Sequence, residues 1–394
     1  MKKAVIYGFF RFPHMSANAN YAQYLALALM EIGYNVSIIS PGDVKQCEYD
    51  KMKHAYSYKN IKFCPFELKK GKIRHYLDFN FGLGKYFING IKECGLEKGD
   101  IAIGYIPDGM ALQSVIKYCK EKQIITMQCV DELFGEEELK ANSLIYRLNY
   151  RYAIDTVIPK MDFVIPISHY IQDYYNQKNV KTFIVPIMAD TLEYNNTHYE
   201  HTDLIKIIYP ANGMIKDNLE DMLKALCQLP KEVREKIEFH ITGIRKESIN
   251  KTTLDEVNDS LNDRFIVHNW LDYNELIELY KKSDFLLLAR KISQMTLANF
   301  PSKVPEVMTY GVIPIVSRVG DYTKYYLTDG IDSIIFDGFS SNKCCEAIIR
   351  AARLSTDERK KMSDNARKCV ESKFEYRKWA GEIKEYFENN DVLV

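Results

Sequence analysis

One stretch of the sequence, from Arg290 to Gly320, concentrates residue types that could handle a phosphorylated ligand. It follows the apolar run Phe285–Ala289. After a loop, Phe300, Pro301, Ser302 and Lys303 read as the start of a helix, with Pro301 near its first position. Gly311 would end that helix, and the apolar run Ile313–Val316 follows. Unpaired main-chain amides at a helix start, backed by the helix dipole, form a site for a diphosphate. Ser302 lies among those amides, and Lys303 would add a positive charge. Glu306 lies one turn further in. A carboxylate accepts two hydrogen bonds at once, which suits the vicinal hydroxyls of a ribose. On spacing alone the plainer reading is a solvated helix glutamate after an ordinary proline.

Such a site needs strands and helices in alternation, and the chain supplies them. Short apolar runs read as buried parallel strands. In the first half they are Ala4–Tyr7, Val36–Ile39, Ile101–Tyr105, Ile124–Met127, Phe163–Ile167 and Phe183–Val185. In the second half they are Ile205–Tyr209, Ile237–Thr242, Phe265–Val267, Phe285–Ala289, Ile313–Val316 and Ser333–Phe336. Helical periods lie between them. Tyr21, Leu25, Ala28, Leu29 and Ile32 share one face, and Gly33 stops the helix. Ser355 and Glu358 fit a capping box, and a last helix is expected over Tyr376–Asn389. The fold class is therefore α/β, with two opposed Rossmann-like domains built on parallel sheets. Polar residues without a clear period make Pro186–Asp203 the linker. The domains are then 1–187 and 203–374, with a helix over about 375–394 returning to the first. In such sheets ligands bind beyond the carboxyl ends of the strands.

Composition narrows the classes. The chain has 394 residues, with Lys+Arg 53 and Asp+Glu 53, so its formal charge is zero. That balance excludes a surface wholly adapted to nucleic acid. No apolar run reaches the roughly 18 residues that a membrane span requires. The nine cysteines are scattered without a C-x-x-C pair, so zinc and redox motifs lack support and the thiols read as reduced. No Asp-x-Asp triplet that would hold a metal occurs, and metal ligands are not expected.

Pro301, Lys303, Glu306, Gly311 and Pro314 together resemble the donor-site region of GT-B glycosyltransferases of the family 4 type (glycosyl transferases group 1). The resemblance implies that Glu306 holds the ribose of a nucleotide-sugar donor. The family's earlier glutamate would fall at Ala298, leaving Gln294, Thr296 or Asn299 to hydrogen-bond a neutral sugar. Tyr209–Asp217 is similar to the family's small-residue loop, here with Gly213, and Lys216 would meet the donor diphosphate. The arginine of the usual Arg/Lys pair would align near Ala211. Val267–Leu271 matches the position where the family's backbone meets the nucleobase, although a buried Trp270 is the plainer reading. Ser283–Arg290 resembles the strand before the donor loop, and Arg290 would neutralise charge developing on the phosphate.

On the acceptor side, the loop Gly8–Asn18 resembles the usually glycine-rich loop lining the cleft between the domains, with Gly8 its one glycine. Arg11, His14 and Ser16 would contact acceptor or phosphate. Asp131 and Glu132 could face the acceptor or form a solvated acidic face. Ser168 reads as the cap of a helix that His169 begins. Residues 51–76 carry eight Lys/Arg against one acid, Glu67, interleaved with aromatic side chains. They suit an anionic membrane surface or a lipid diphosphate, against the plainer reading of a solvated basic face.

The resemblance implies retaining, metal-independent transfer from a UDP- or GDP-sugar to a glycan or lipid-linked acceptor, in surface polysaccharide or glycolipid assembly. It implies no bound cofactor and no nucleic acid partner. The expected location is cytoplasmic, peripheral to the inner face of the membrane. The alternatives are a non-catalytic GT-B subunit that binds a nucleotide sugar or activates a partner, and a nucleotide-sugar epimerase of the same architecture.

Overall fold

The computed structural model describes residues 2–13, 16–51, 55–105, 108–192, 202–210 and 216–392. His14 and Gly213 lie outside the described residues. The chain divides into two compact units, residues 1–188 with 376–394, and residues 189–375.

The first unit is built on β1 (Lys3–Gly8), β2 (Asn35–Ser40), β3 (Glu48–Asp50), β4 (Ala55–Tyr58), β5 (Ile61–Pro65), β6 (Ile101–Tyr105), β7 (Ile125–Val130) and β8 (Phe163–Pro166). Their order across the sheet is β3-β4-β5-β2-β1-β6-β7-β8. β1 lies between β2 and β6, with Ala4 opposite Val36 on one side and Ile101 on the other. Ala4, Val5, Ile6 and Tyr7 are all fully buried, as a strand covered on both faces requires. β4 runs antiparallel to both β3 and β5, so the edge of this sheet is not parallel as expected. The polar residues of 48–60 conceal these strands, because partly exposed strands at or beside a sheet edge need no continuous apolar run. Phe183–Val185 forms no strand. It runs as extended chain along β8, with a single bridge between Val164 and Thr182.

The helix Ala17–Glu31 is capped by Ser16, whose Oγ accepts the Ala19 amide at 3.2 Å. The last helix, Tyr376–Asn389, packs beside it, stacking Tyr376 on Tyr24 at 6.1 Å between ring centres. Tyr386 stacks on Phe183 at 4.3 Å, so the apolar run expected as a strand serves as a platform for this helix. Gly8 closes β1 where a side chain has no room: a Cβ there would lie 2.1 Å from the Tyr105 carbonyl oxygen.

The second unit carries β9 (Ile205–Pro210), β10 (Ile237–Thr242), β11 (Phe265–Val267), β12 (Phe285–Leu288), β13 (Ile313–Ser317) and β14 (Ile334–Phe336). All its pairings are parallel, in the order β11-β10-β9-β12-β13-β14. The first part of the expected linker is tied to this unit: the Ala189 amide donates to the Phe374 carbonyl, and Thr191 Oγ1 donates to Glu375. The capping box of helix Thr356–Lys373 forms between Ser355 and Glu358 as expected. Inside that helix, buried Arg359 faces the fully buried Asp284 at 3.4 Å and donates to the Thr202 carbonyl.

A histidine relay crosses from β10 to β11, and nothing in the sequence pattern announced it. His240 Nε2 meets Glu238 at 2.8 Å, and His240 Nδ1 meets His268 Nε2 at 2.8 Å, with the rings stacked. A carboxylate only accepts, so His240 donates from Nε2 and its Nδ1 accepts from His268. Burial lowers the pKa of both imidazoles, and Glu238 only partly offsets this for His240. The folded state therefore binds these protons later than the unfolded chain. Stability is full above the ordinary imidazole value of 6.5 and falls as pH drops below it. For His240 the expected slope is at most about 1.4 kcal/mol per pH unit. Denaturant unfolding between about pH 8 and pH 5 should show this decline in the wild type and a shallower one in His240→Asn. Parallel profiles would contradict the relay.

Candidate functional site

β9 and β12 are neighbours, with Phe285 opposite Ile207, so their carboxyl ends open side by side. The chain leaving β9 reaches Lys216 and Asp217, and the chain leaving β12 reaches Arg290. Asp217 and Arg290 form a backbone bridge, and the Asn218 amide donates to the Ala289 carbonyl at 2.8 Å. Arg290 is 7% exposed, so its charge must be met by protein. Its Nε donates to Asp217 Oδ1 at 2.8 Å and its Nη1 to Asn299 Oδ1 at 3.0 Å. The Arg290 amide donates to Ser317 Oγ on β13 at 2.7 Å. The other Asp217 oxygen accepts the Tyr209 hydroxyl at 2.8 Å. Burial first, and then Asp217, push the Tyr209 pKa well up, so the phenol stays protonated as a donor.

Removing one partner from a buried pair of this kind costs about 3–5 kcal/mol, because the other charge is left uncompensated. Arg290 was expected to neutralise charge developing on a phosphate. Asp217 faces its charge in the structure, and among the described residues its Nη2 makes no hydrogen bond. Its structural part is to clamp the loop that begins at its own position.

That loop contains one turn of helix, Gln294–Ala298, where none was expected. Ser293 and Thr296 cap it reciprocally. Thr296 is 1% exposed and spends its hydroxyl on this turn, while Asn299 spends its side-chain oxygen on Arg290. Of the three neutral residues considered for a sugar, only Gln294 is exposed. Ala298 is fully buried, so a glutamate there would need a charge partner in the core.

The helix Lys303–Met308 follows, with Ser302 at its cap position making no side-chain bond. Pro301 precedes it and is buried. Pro305 sits in the first turn, where an amide would have no helical partner. Lys303 Nζ meets Glu306 Oε2 at 3.1 Å, with the side chains 31% and 17% exposed. The two residues expected to serve phosphate and ribose therefore hold each other. Such a pair is worth roughly 0–1 kcal/mol, so exchanging it for ligand contacts requires little. Gly311 ends the segment at φ +81, and a Cβ there would lie 2.5 Å from Ser363 Oγ.

Lys216 is half-buried beside Asp217. At the end of β11, Trp270 is 63% exposed, which overturns the buried reading. The neighbouring Asn269 carbonyl accepts from Gly243 N and Thr242 Oγ1, joining the loops after β10 and β11.

In the first unit, Phe9, Phe10 and exposed Arg11 leave β1 and line a cavity of about 610 Å³ with Phe66, Glu67 and His75. Ser16 also borders it, although its oxygen is engaged as a helix cap. Asp131 Oδ2 accepts the Tyr105 hydroxyl at 3.1 Å, and Ser168 caps the helix His169–Asn176 as expected. The basic stretch 51–76 ends in the helix Lys72–Leu77, and the π-helical turn Asp78–Gly82 follows it. Ile73, Tyr76, Leu77 and Phe81 are 77%, 46%, 50% and 52% exposed. Lys69, exposed, is 3.5 Å from Asp78, and Lys70, Lys72 and Arg74 are further exposed cations next to these apolar side chains.

Residues 192–369 match the family described as glycosyl transferases group 1. An uncharacterized glycosyltransferase of Methanocaldococcus jannaschii is 22% identical over 241 residues, which is 59% of this chain and 59% of that protein. Sucrose-phosphate synthase from Thermosynechococcus elongatus superimposes with a TM-score of 0.74 at 13% identity, covering 100% of both chains. HepE of Anabaena, in complex with UDP, superimposes at 0.69 and 13% identity, over 98% of this chain and 100% of that one. Among the described residues no helix is long and apolar enough to cross a membrane. The chain has the GT-B fold that these solved structures share, and its residues 192–369 are similar to the glycosyl transferases group 1 family.

Proposed function

We propose that this protein is a retaining glycosyltransferase, moving a sugar from a UDP- or GDP-sugar to a glycan or lipid-linked acceptor in surface polysaccharide or glycolipid assembly. The observation that carries this reading is the joining of two polar groupings on one sheet edge. The Tyr209–Asp217–Arg290–Asn299 network fixes the loop after β12, and the Lys303–Glu306 pair stands where that loop enters its helix. HepE, which shares the fold, is seen with UDP, and this supports a nucleoside diphosphate as the ligand class.

The leaving diphosphate departs from the anomeric carbon, and the acceptor hydroxyl attacks the same face. Protein groups stabilise charge on the leaving group and orient the reactants. Lys216, Lys303 and Arg290 Nη2 meet the diphosphate oxygens, together with amides around Ser302. Glu306 turns from Lys303 to the ribose hydroxyls. Pocket residues at the end of β1, Arg11 among them, receive the acceptor. The exposed apolar face of Lys72–Leu77, fringed by cations, rests on an anionic lipid surface.

A second reading, a GT-B subunit that binds donor without transferring it, draws on two features of the sequence. Position 298 holds a buried alanine where the family carries a glutamate, and Ala211 stands where it carries an arginine. Donor binding without transfer to any acceptor would favour that reading.

Glu306→Ala should weaken nucleotide-sugar affinity by about 1–3 kcal/mol, as for loss of charge-assisted hydrogen bonds. Equal affinities in isothermal titration calorimetry would sink the ribose assignment. Replacing Lys70, Lys72 and Arg74 with glutamine should lower co-flotation with phosphatidylserine vesicles, by about 1 kcal/mol per cation removed at low salt. Undiminished flotation would reject the lipid surface.

A further inference from the structure

Two of the nine cysteines face each other. Cys64 lies in β5, and Cys94 directly follows the helix Leu83–Glu93. They are 30 positions apart in sequence, and their sulfur atoms are 3.6 Å apart. Both side chains are half-buried, within reach of small solutes rather than sealed in the core. By contrast Cys119, Cys129, Cys344, Cys345 and Cys369 are buried.

Two thiols in contact share a hydrogen bond, and that bond separates their acidities. It pulls the Cys94 thiol below its ordinary value, with further help from the Ser37 hydroxyl, and it pushes Cys64 up. Burial and the charge of Glu93 oppose ionisation of Cys94, but the two hydrogen bonds and the charge of Lys62 outweigh them. Cys94 is therefore the nucleophile, with its partner thiol already in place.

We propose that Cys94 and Cys64 form a reversible oxidation site, a dithiol that hydrogen peroxide converts into an intramolecular disulfide. The Cys94 thiolate attacks one peroxide oxygen. An S–O bond forms as the O–O bond breaks, and the departing hydroxide takes up a proton to leave as water. The product is a sulfenic acid on Cys94. Cys64, losing its proton, then attacks the Cys94 sulfur. The S–S bond forms, the S–O bond breaks, and a second water leaves. Each thiol sulfur gives up one electron, and the peroxide accepts both. Closing the contact to bonding distance requires a small shift of Cys94, which lies just beyond its helix rather than within it.

The bond would tie together the two roots of the segment 65–93, which carries the exposed face of Lys72–Leu77. The oxidation chemistry does not depend on the lipid-surface reading: vesicle flotation tests that surface, and a thiol map tests this site.

The test treats the full chain with hydrogen peroxide and maps its peptides without reduction. A Cys64–Cys94 cross-link is expected as the first disulfide to accumulate, fully reversed by dithiothreitol. In Cys64→Ser, dimedone should trap a sulfenic acid at Cys94, because the resolving thiol is gone. The wild-type map needs no variant and so does not depend on how the variant folds. Free thiols at both positions when other cysteines are already oxidised, or earlier accumulation of a different pair, would overturn the proposal.

Discussion

A guanidinium buried at the end of a strand is stable only if its charge is met, and Arg290 is in that position. Asp217 meets the charge, Asn299 takes a second donor, and Ser317 takes the main-chain amide. These contacts join the carboxyl ends of β9, β12 and β13. Tyr209 completes them by donating to the remaining Asp217 oxygen. Because an unpaired buried charge costs several kcal/mol, the loop after β12 has little freedom to leave this arrangement. Its one-turn helix and the start of Lys303–Met308 are positioned from that anchor.

Strong and weak electrostatics are divided between neighbours on this edge. The Asp217–Arg290 pair is sealed, with side chains 3% and 8% exposed, and acts as scaffold. The Lys303–Glu306 pair is partly open and separated by one helical turn, so each member can change partners at little expense. This division suits a site that must keep its shape while binding and releasing a charged ligand. The first unit follows a similar logic with different residues: Gly8 lets β1 approach Tyr105 closely, and the aromatic pocket begins immediately after it.

Much of the fold is legible in the sequence because strands covered on both faces need uninterrupted apolar runs. Ala4–Tyr7, Ile101–Tyr105 and Phe285–Leu288 are of that kind. Strands that stay partly exposed carry no such demand, which is why the edge strand β3 and its neighbour β4 are hidden among polar residues. Phe183–Val185 misleads for the opposite reason, since Phe183 is apolar to stack on the last helix, while the segment runs beside β8 without forming a strand. In the site, Pro301, Lys303 and Glu306 are readable because local spacing places Lys303 and Glu306 on one short helix and Pro301 just before it. The burial of Arg290 is not, because it depends on Asp217, 73 positions away. The relay of Glu238, His240 and His268 was missed for the same reason, and the exposure of Trp270 runs against the usual burial of that side chain.

Hydrogen–deuterium exchange on the full chain, with and without saturating UDP or GDP, locates the ligand most directly. Slowed exchange in residues 290–306, with β5 unchanged, is expected if the edge of β9 and β12 binds the nucleoside diphosphate. Unchanged exchange in 290–306 at saturation would contradict a donor site on that edge.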